Sequence, residues 1–113
     1  MSGLSTHVLD LGTGRPARGV TVRLDRHSDA AGWSRVAEHV TDDRGRIADL
    51  LGGAPLQNGR YLLTFHTGDY FRAKGEQSFH PEVSVMFEVG DSAQHYHVPL
   101  LLSAFGYSTY RGS

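Results

Sequence analysis

Not one of the 113 residues is a cysteine, which removes disulfides, thiolate metal sites and thiol nucleophiles from consideration. That fits a reducing compartment, and the cytoplasm is the default address. No run of about 18 apolar residues occurs, so no membrane-spanning helix is expected. The opening "MSGLSTHVLDLG" lacks the basic and then apolar arrangement of a signal peptide. An excess of one charge is missing too. Eleven Lys+Arg stand against twelve Asp+Glu, for a net charge of −1, which argues against nucleic acid as a partner and offers little electrostatic resistance to self-association. No G-x-S-x-G elbow marks an activated serine. The spaced glycines of "GTGRPARG" are not followed by a helix, which speaks against a phosphate-binding loop.

What is present is strand chemistry at short intervals. In "GVTVRLDR" (residues 19–26) Val20, Val22 and Leu24 fall on one face and Thr21, Arg23 and Asp25 on the other, the period-two pattern of a half-buried strand. Comparable segments are expected at 4–11, 32–42, 46–51, 60–66, 80–91, 94–103 and 105–112. Turn signals such as "DDRG" (42–45) and "GGAP" (52–55) separate them. One helix of barely two turns is expected in "DYFRAKGEQSF", with Asp69 as cap and Gly75 as stop. No internal repeat, linker or alternating βαβ pattern appears. The reading is all-β, an antiparallel β-sandwich of eight short strands in a single domain spanning 1–113.

Histidine is over-represented, with seven in the chain. His95 and His97 lie two apart on an expected strand, so they share a face while Tyr96 points the other way. His7 sits in mid-strand near the other end of the chain. His27, His39, His66 and His80 fall at expected strand ends or loops. Three readings of the pair are open: surface histidines, zinc ligands together with His7, or acid–base catalysts. Catalysis would need a group to hold charge, and Arg46, just after the "DDRG" turn, is a candidate.

The segments "LSTHVLDLGTGRPARGVTVRL", "TDDRGR" and "HYHVPLLLSAFGYSTYRGS" resemble the transthyretin-related family, and specifically its 5-hydroxyisourate hydrolase branch. The similarity runs in order from Leu4 to Ser113, and the closing "YRGS" is its most specific part. The resemblance implies a transthyretin-like sandwich of two four-stranded sheets with a short helix. It implies a homotetramer, a dimer of dimers with active sites in a channel at the dimer–dimer interface. The implied activity is hydrolytic opening of the 5-hydroxyisourate ring, in urate degradation toward allantoin, with no metal or organic cofactor. The implied catalytic residues are His7, Arg46 and His97, and the implied substrate-binding residues are Tyr110, Arg111, Gly112 and Ser113. The transport branch of the family carries Lys, Glu and Thr where His7, Arg46 and His97 stand, and lacks the YRGS ending. A non-catalytic protein that holds a small ligand is the alternative. Two departures from the family pattern stand out: Ala104 replaces a usual proline, and Arg44 adds a cation to the turn before Arg46.

Overall fold

The alternation of the second expected strand survives into the fold. In the computed structural model, which describes residues 3–113, Val22 and Leu24 are fully buried. The chain runs β1 (Gly3–Asp10), β2 (Arg15–Pro16), β3 (Thr21–Ser28), β4 (Gly32–Val40), β5 (Arg46–Ile47), β6 (Gly59–Phe65), α1 (Thr67–Ala73), β7 (Val83–Val89), β8 (His95–Ser103) and β9 (Gly106–Thr109). A β-bulge interrupts the β3–β4 ladder between Leu24 and Asp25, where Val36 of β4 is the extra residue, while β3 stays in regular register with β6. Asp25 is buried next to Leu24 and accepts a hydrogen bond from Arg23 Nε at 2.9 Å.

Two sheets form the sandwich. One has the order β4-β3-β6-β7; the other has the order β2-β1-β8-β9, with β5 also pairing β1. The two-residue strands β2 and β5 pair successive stretches of β1, β2 at Leu9 and Asp10 and β5 at Thr6 and His7. They share one lane, so this sheet is four lanes wide. Leu4, Val8, Val98, Leu100 and Leu102 from one inner face meet Val22, Leu24, Tyr61, Leu63 and Phe65 from the other, all buried.

The fold departs from the expectation in three places. β1 and β8 pair in parallel, from Gly3 opposite His95 to Asp10 opposite Leu102, whereas every other named pairing is antiparallel. The stretch 46–51 is a strand only at Arg46 and Ile47. Leu50 and Leu51 are buried consecutively, which a pleated strand with one core face does not allow, so they turn inward instead. The helix begins earlier than expected, with His66 as N-cap and no side-chain cap bond. Asp69 lies inside its first turn, paired with Arg72 at 2.8 Å.

Gly75 does end the helix, at φ +72°. The Glu76 N–H bonds the Phe71 carbonyl and the Gly75 N–H bonds the Arg72 carbonyl, the paired bonds of a Schellman termination. The helix is tied to β1 through Asp10, a fully buried carboxylate. It accepts hydrogen bonds from Tyr70 Oη and Lys74 Nζ, each at 2.8 Å, and from the Gly12 N–H at 2.9 Å. Burial pushes the Asp10 pKa up, but these three donors together outweigh it and hold the carboxyl below its ordinary value.

Lys74→Met leaves that carboxylate buried with one charge partner fewer. Breaking a fully buried pair costs about 3–5 kcal/mol; since the Lys74 side chain is 29% exposed, a loss of about 2–3 kcal/mol is expected by urea denaturation. A lowered carboxylate pKa gives stability that is present above the unfolded value of about 3.9 and is lost as pH falls through the folded value. The variant should therefore lose less further stability between about pH 5 and pH 3 than the wild type does.

Candidate active site

Parity along β1 and β8 decides which side chains meet. Leu4, Thr6 and Val8 face the core, so Ser5 and His7 face outward; Tyr96, Val98 and Leu100 face the core, so His95 and His97 face outward. The parallel register sets Ser5 beside His97 and His7 beside Pro99. On the other side of β1, the β5 register sets Arg46 directly opposite His7. Two ends of the chain and the middle thus converge on one outer sheet face. Thr6 locks the alignment from the inner side, where its hydroxyl donates to the Val98 carbonyl at 2.6 Å.

The turn before Arg46 is built to present it. Asp42 Oδ1 accepts from the backbone N–H groups of Arg44 and Arg46, both at 2.9 Å. The Gly45 N–H closes the turn onto the Asp42 carbonyl at 2.9 Å. The Arg46 and Arg44 amides, in that order, hold the Asp42 carboxyl below its ordinary value. Gly45 has φ +72°, and its carbonyl accepts from the Val8 N–H at 2.7 Å. A Cβ there would sit inside contact distance of the Val8 carbonyl oxygen. Arg44, the added cation, is exposed.

Ser5, Thr6, Arg46, Ile47, Ala48, His95, His97 and Ser113 line a cleft of about 410 Å³. His7 flanks this cleft rather than lining it. Ser5 Oγ lies 2.7 Å from His95 Nε2 and 2.8 Å from His97 Nδ1. The pKa of His97 is lowered, first by burial and then by the positive charges that His7, His95 and Arg46 can carry toward it. Both causes disfavour the imidazolium, so His97 is neutral at pH 7 and able to accept a proton.

The chain's last residues divide. Gly112 bridges β8, its N–H bonding the His97 carbonyl at 2.8 Å, and Ser113 reaches the cleft. A Cβ on Gly112 would stand 2.6 Å from His97 Cδ2, so only glycine lets the strand lie this close to the ring. Tyr110 and Arg111 go elsewhere. They line a separate groove of about 490 Å³ between the β7 and β9 edges, with Val85, Phe87 and Tyr96. The Arg111 guanidinium lies over the Tyr96 ring at 4.2 Å and donates to Gln94 Oε1 at 2.8 Å. Within one chain, then, His97, Arg46, Gly112 and Ser113 come together with His7 alongside, and Tyr110 and Arg111 do not join them.

The three-histidine zinc reading finds no support in the geometry. Among the described residues no three His, Cys, Asp or Glu side chains converge as metal ligands, and the ring nitrogens of His95 and His97 that face each other are bridged by a serine hydroxyl. Ser5 is the site residue that sequence reasoning missed. Its place two residues before His7 was legible as a shared face; its partners on β8 were not, because a parallel register leaves no local mark.

Residues 4–112 match the HIUase/Transthyretin family. The chain belongs to this family. Members of it with different names share the fold closely. The 5-hydroxyisourate hydrolase of Caulobacter vibrioides is 48% identical over 117 residues, covering 100% of both chains. The solved structure of Klebsiella pneumoniae 5-hydroxyisourate hydrolase superposes with a TM-score of 0.87 at 46% identity, covering 99% of this chain and 100% of that one. Sea bream transthyretin in complex with thyroxine gives a TM-score of 0.90 at 32% identity, covering 96% of this chain and 93% of that one. Backbone similarity does not separate the hydrolase from the thyroxine-bound protein within the family. Overall identity does, at 46% to the hydrolase and 32% to the thyroxine-bound protein.

Proposed function

We propose that this chain is a 5-hydroxyisourate hydrolase acting in the degradation of urate toward allantoin. The observation that carries the reading is the set of His7, Arg46 and a neutral His97 gathered on one sheet face, in a chain nearly half identical to proteins of that name. Hydrolysis of a ring amide adds water to the carbonyl carbon and breaks the C–N bond. One water proton ends on the nitrogen, and the other leaves as the new carboxyl ionises. His97 takes the first proton as the water attacks. Arg46, a permanent cation with a forked set of donors, holds the charge that develops on the carbonyl oxygen. His7, across from Arg46, gives a proton to the leaving nitrogen, and the proton held by His97 then passes through solvent to His7, so both histidines end as they began. Gly112 and Ser113 close one side of the cleft.

Tetramer formation, as a dimer of dimers, belongs to the same proposal. The cleft opens on a broad sheet face, and an active site that excludes water there needs a second surface to cover it. Met86 on β7, Tyr107 on β9 and Tyr110 just beyond it are large and exposed, so both neighbouring strand edges offer apolar area to another copy. Tyr110 and Arg111 then serve substrate only through the assembly.

The deciding test is ultraviolet assay of freshly generated 5-hydroxyisourate, with its uncatalysed decay as background. Acceleration proportional to protein supports the hydrolase, whereas ligand binding without turnover favours the carrier reading. The pH profile gives a further check. With a lowered His97 pKa, the acid limb of kcat/KM should fall with a midpoint below the ordinary imidazole value of about 6.5. A midpoint above that value would remove His97 as the base.

A further inference from the structure

Ser5 occupies an unusual position for a hydroxyl: it is 9% exposed and sits between two imidazoles of the neighbouring strand, at 2.7 and 2.8 Å. A serine hydroxyl carries one proton and two lone pairs, so it can donate to only one of the two rings. It accepts from the other or leaves that contact unmade. The surroundings hold both rings in place. His95 packs against the backbone of Gly3, where a Cβ would come within 3.0 Å of Nδ1. The His97 ring has Gly112 against Cδ2 and a backbone bridge from the same residue.

The direction of these bonds follows from the work His97 has to do. Its Nδ1 is engaged by Ser5, so Nε2 is the nitrogen left to meet a reacting water. For Nε2 to accept a proton, Nδ1 must carry one of its own and donate it. Ser5 Oγ then accepts from His97, and the serine proton turns to His95 Nε2. The same Nδ1–H···Oγ bond persists when His97 becomes an imidazolium, so proton uptake requires no rearrangement of the site.

We propose that Ser5 is a positioning residue: its hydroxyl accepts the His97 Nδ1 proton, donates to His95 Nε2, and thereby keeps His97 in the tautomer whose Nε2 is free to act as base. His95 is in this account neither a metal ligand nor an idle surface residue. It is the acceptor that commits the serine proton away from His97. The inference rests on the hydrolase reading for its consequence in turnover, but the tautomer it assigns is a property of the protein alone.

The variants Ser5→Thr and Ser5→Val have nearly the same shape and share any strain from an added methyl; only the first keeps a hydroxyl. Nitrogen-15 NMR of the histidine rings, at a pH where His97 is neutral, should show a proton on Nδ1 in the wild type and in Ser5→Thr. In Ser5→Val it should move to Nε2. Turnover should follow, with kcat of Ser5→Val tenfold to a hundredfold below that of Ser5→Thr and KM within about twofold, a part of the roughly 10²–10⁴ that a placed acid–base group supplies. His95→Ala should lower kcat in the same direction.

A wild-type His97 protonated on Nε2 overturns the proposal without any variant, even if Ser5→Val fails to fold. So does a folded Ser5→Val with the kcat of Ser5→Thr, and an unchanged kcat in His95→Ala overturns the part given to His95. If wild-type protein shows no turnover of 5-hydroxyisourate, the hydrolase reading fails instead, and the ring NMR still judges the hydrogen-bond assignment.

Discussion

His97→Gln should lower kcat by about 10²–10⁴, the contribution of a positioned acid–base side chain, with little change in KM. Glutamine keeps a polar group near the imidazole's reach and fills most of its volume, so packing against Gly112 is largely retained. What it loses is a nitrogen able to take a proton near neutral pH. The neutral state of His97 is a product of its surroundings, burial first and the His7, His95 and Arg46 charges after it. Steady-state kinetics on folded variant, with thermal unfolding as the control, tests this. Turnover within about tenfold of wild type would mean that the water is activated elsewhere and that the roles given to this face are wrong.

Gly45→Ala should be the most damaging single-methyl change outside the core. Its φ of +72° lies in the left-handed region, where a side chain costs about 1–2 kcal/mol. The new Cβ also meets the Val8 carbonyl oxygen, which already accepts from the Ala17 N–H at 2.9 Å. Relieving that clash pulls the turn from β1 and weakens the Val8 N–H to Gly45 carbonyl bond at 2.7 Å, a further loss of about 1–3 kcal/mol if the groups stay buried. A total near 3 kcal/mol is expected in urea unfolding. The functional effect should be separate and as large. Arg46 follows directly, and a displacement of about 1 Å in a charge-stabilising group can cost on the order of a hundredfold in rate. Equal stability and equal kcat would show that the turn does not set the position of Arg46.

These two residues illustrate how differently the site could be read in advance. Gly45 announces a turn in any sequence, since "DDRG" combines a side chain that caps backbone amides with a residue free at positive φ. That this turn docks on β1 beside His7 is not contained in it. The alternation of β3 and the glycine stop of α1 were equally legible, because strand period and termination are local physics. The expected cap at Asp69 and the long strand over 46–51 failed for a tertiary reason. Core contacts of Leu50 and Leu51, and the packing of Phe71, outweighed weak local preferences.

The C-terminal "YRGS" shows the same division within four residues. Resemblance groups Tyr110, Arg111, Gly112 and Ser113 as one site. The bridge from Gly112 to His97 marks where the chain passes from one site to the other, a long-range contact that no spacing within the four residues contains. Ser113 goes to the histidine cleft, while Arg111 goes to the Tyr96 ring in the groove between the sheet edges.

The sequence by itself determined the strand-rich class, the exclusion of thiol chemistry, and the histidine and arginine inventory from which the site is built. Each of these depends on residue type and short-range spacing. The tertiary structure alone decided that Ser5, His7, Arg46 and His97 share a face and that Ser5 stands between two imidazoles. These are contacts between residues about 40 to 90 positions apart. They are set by the register of β1 against β5 and β8, and a register is fixed by which inner faces pack, a property of the whole sandwich rather than of any segment in it.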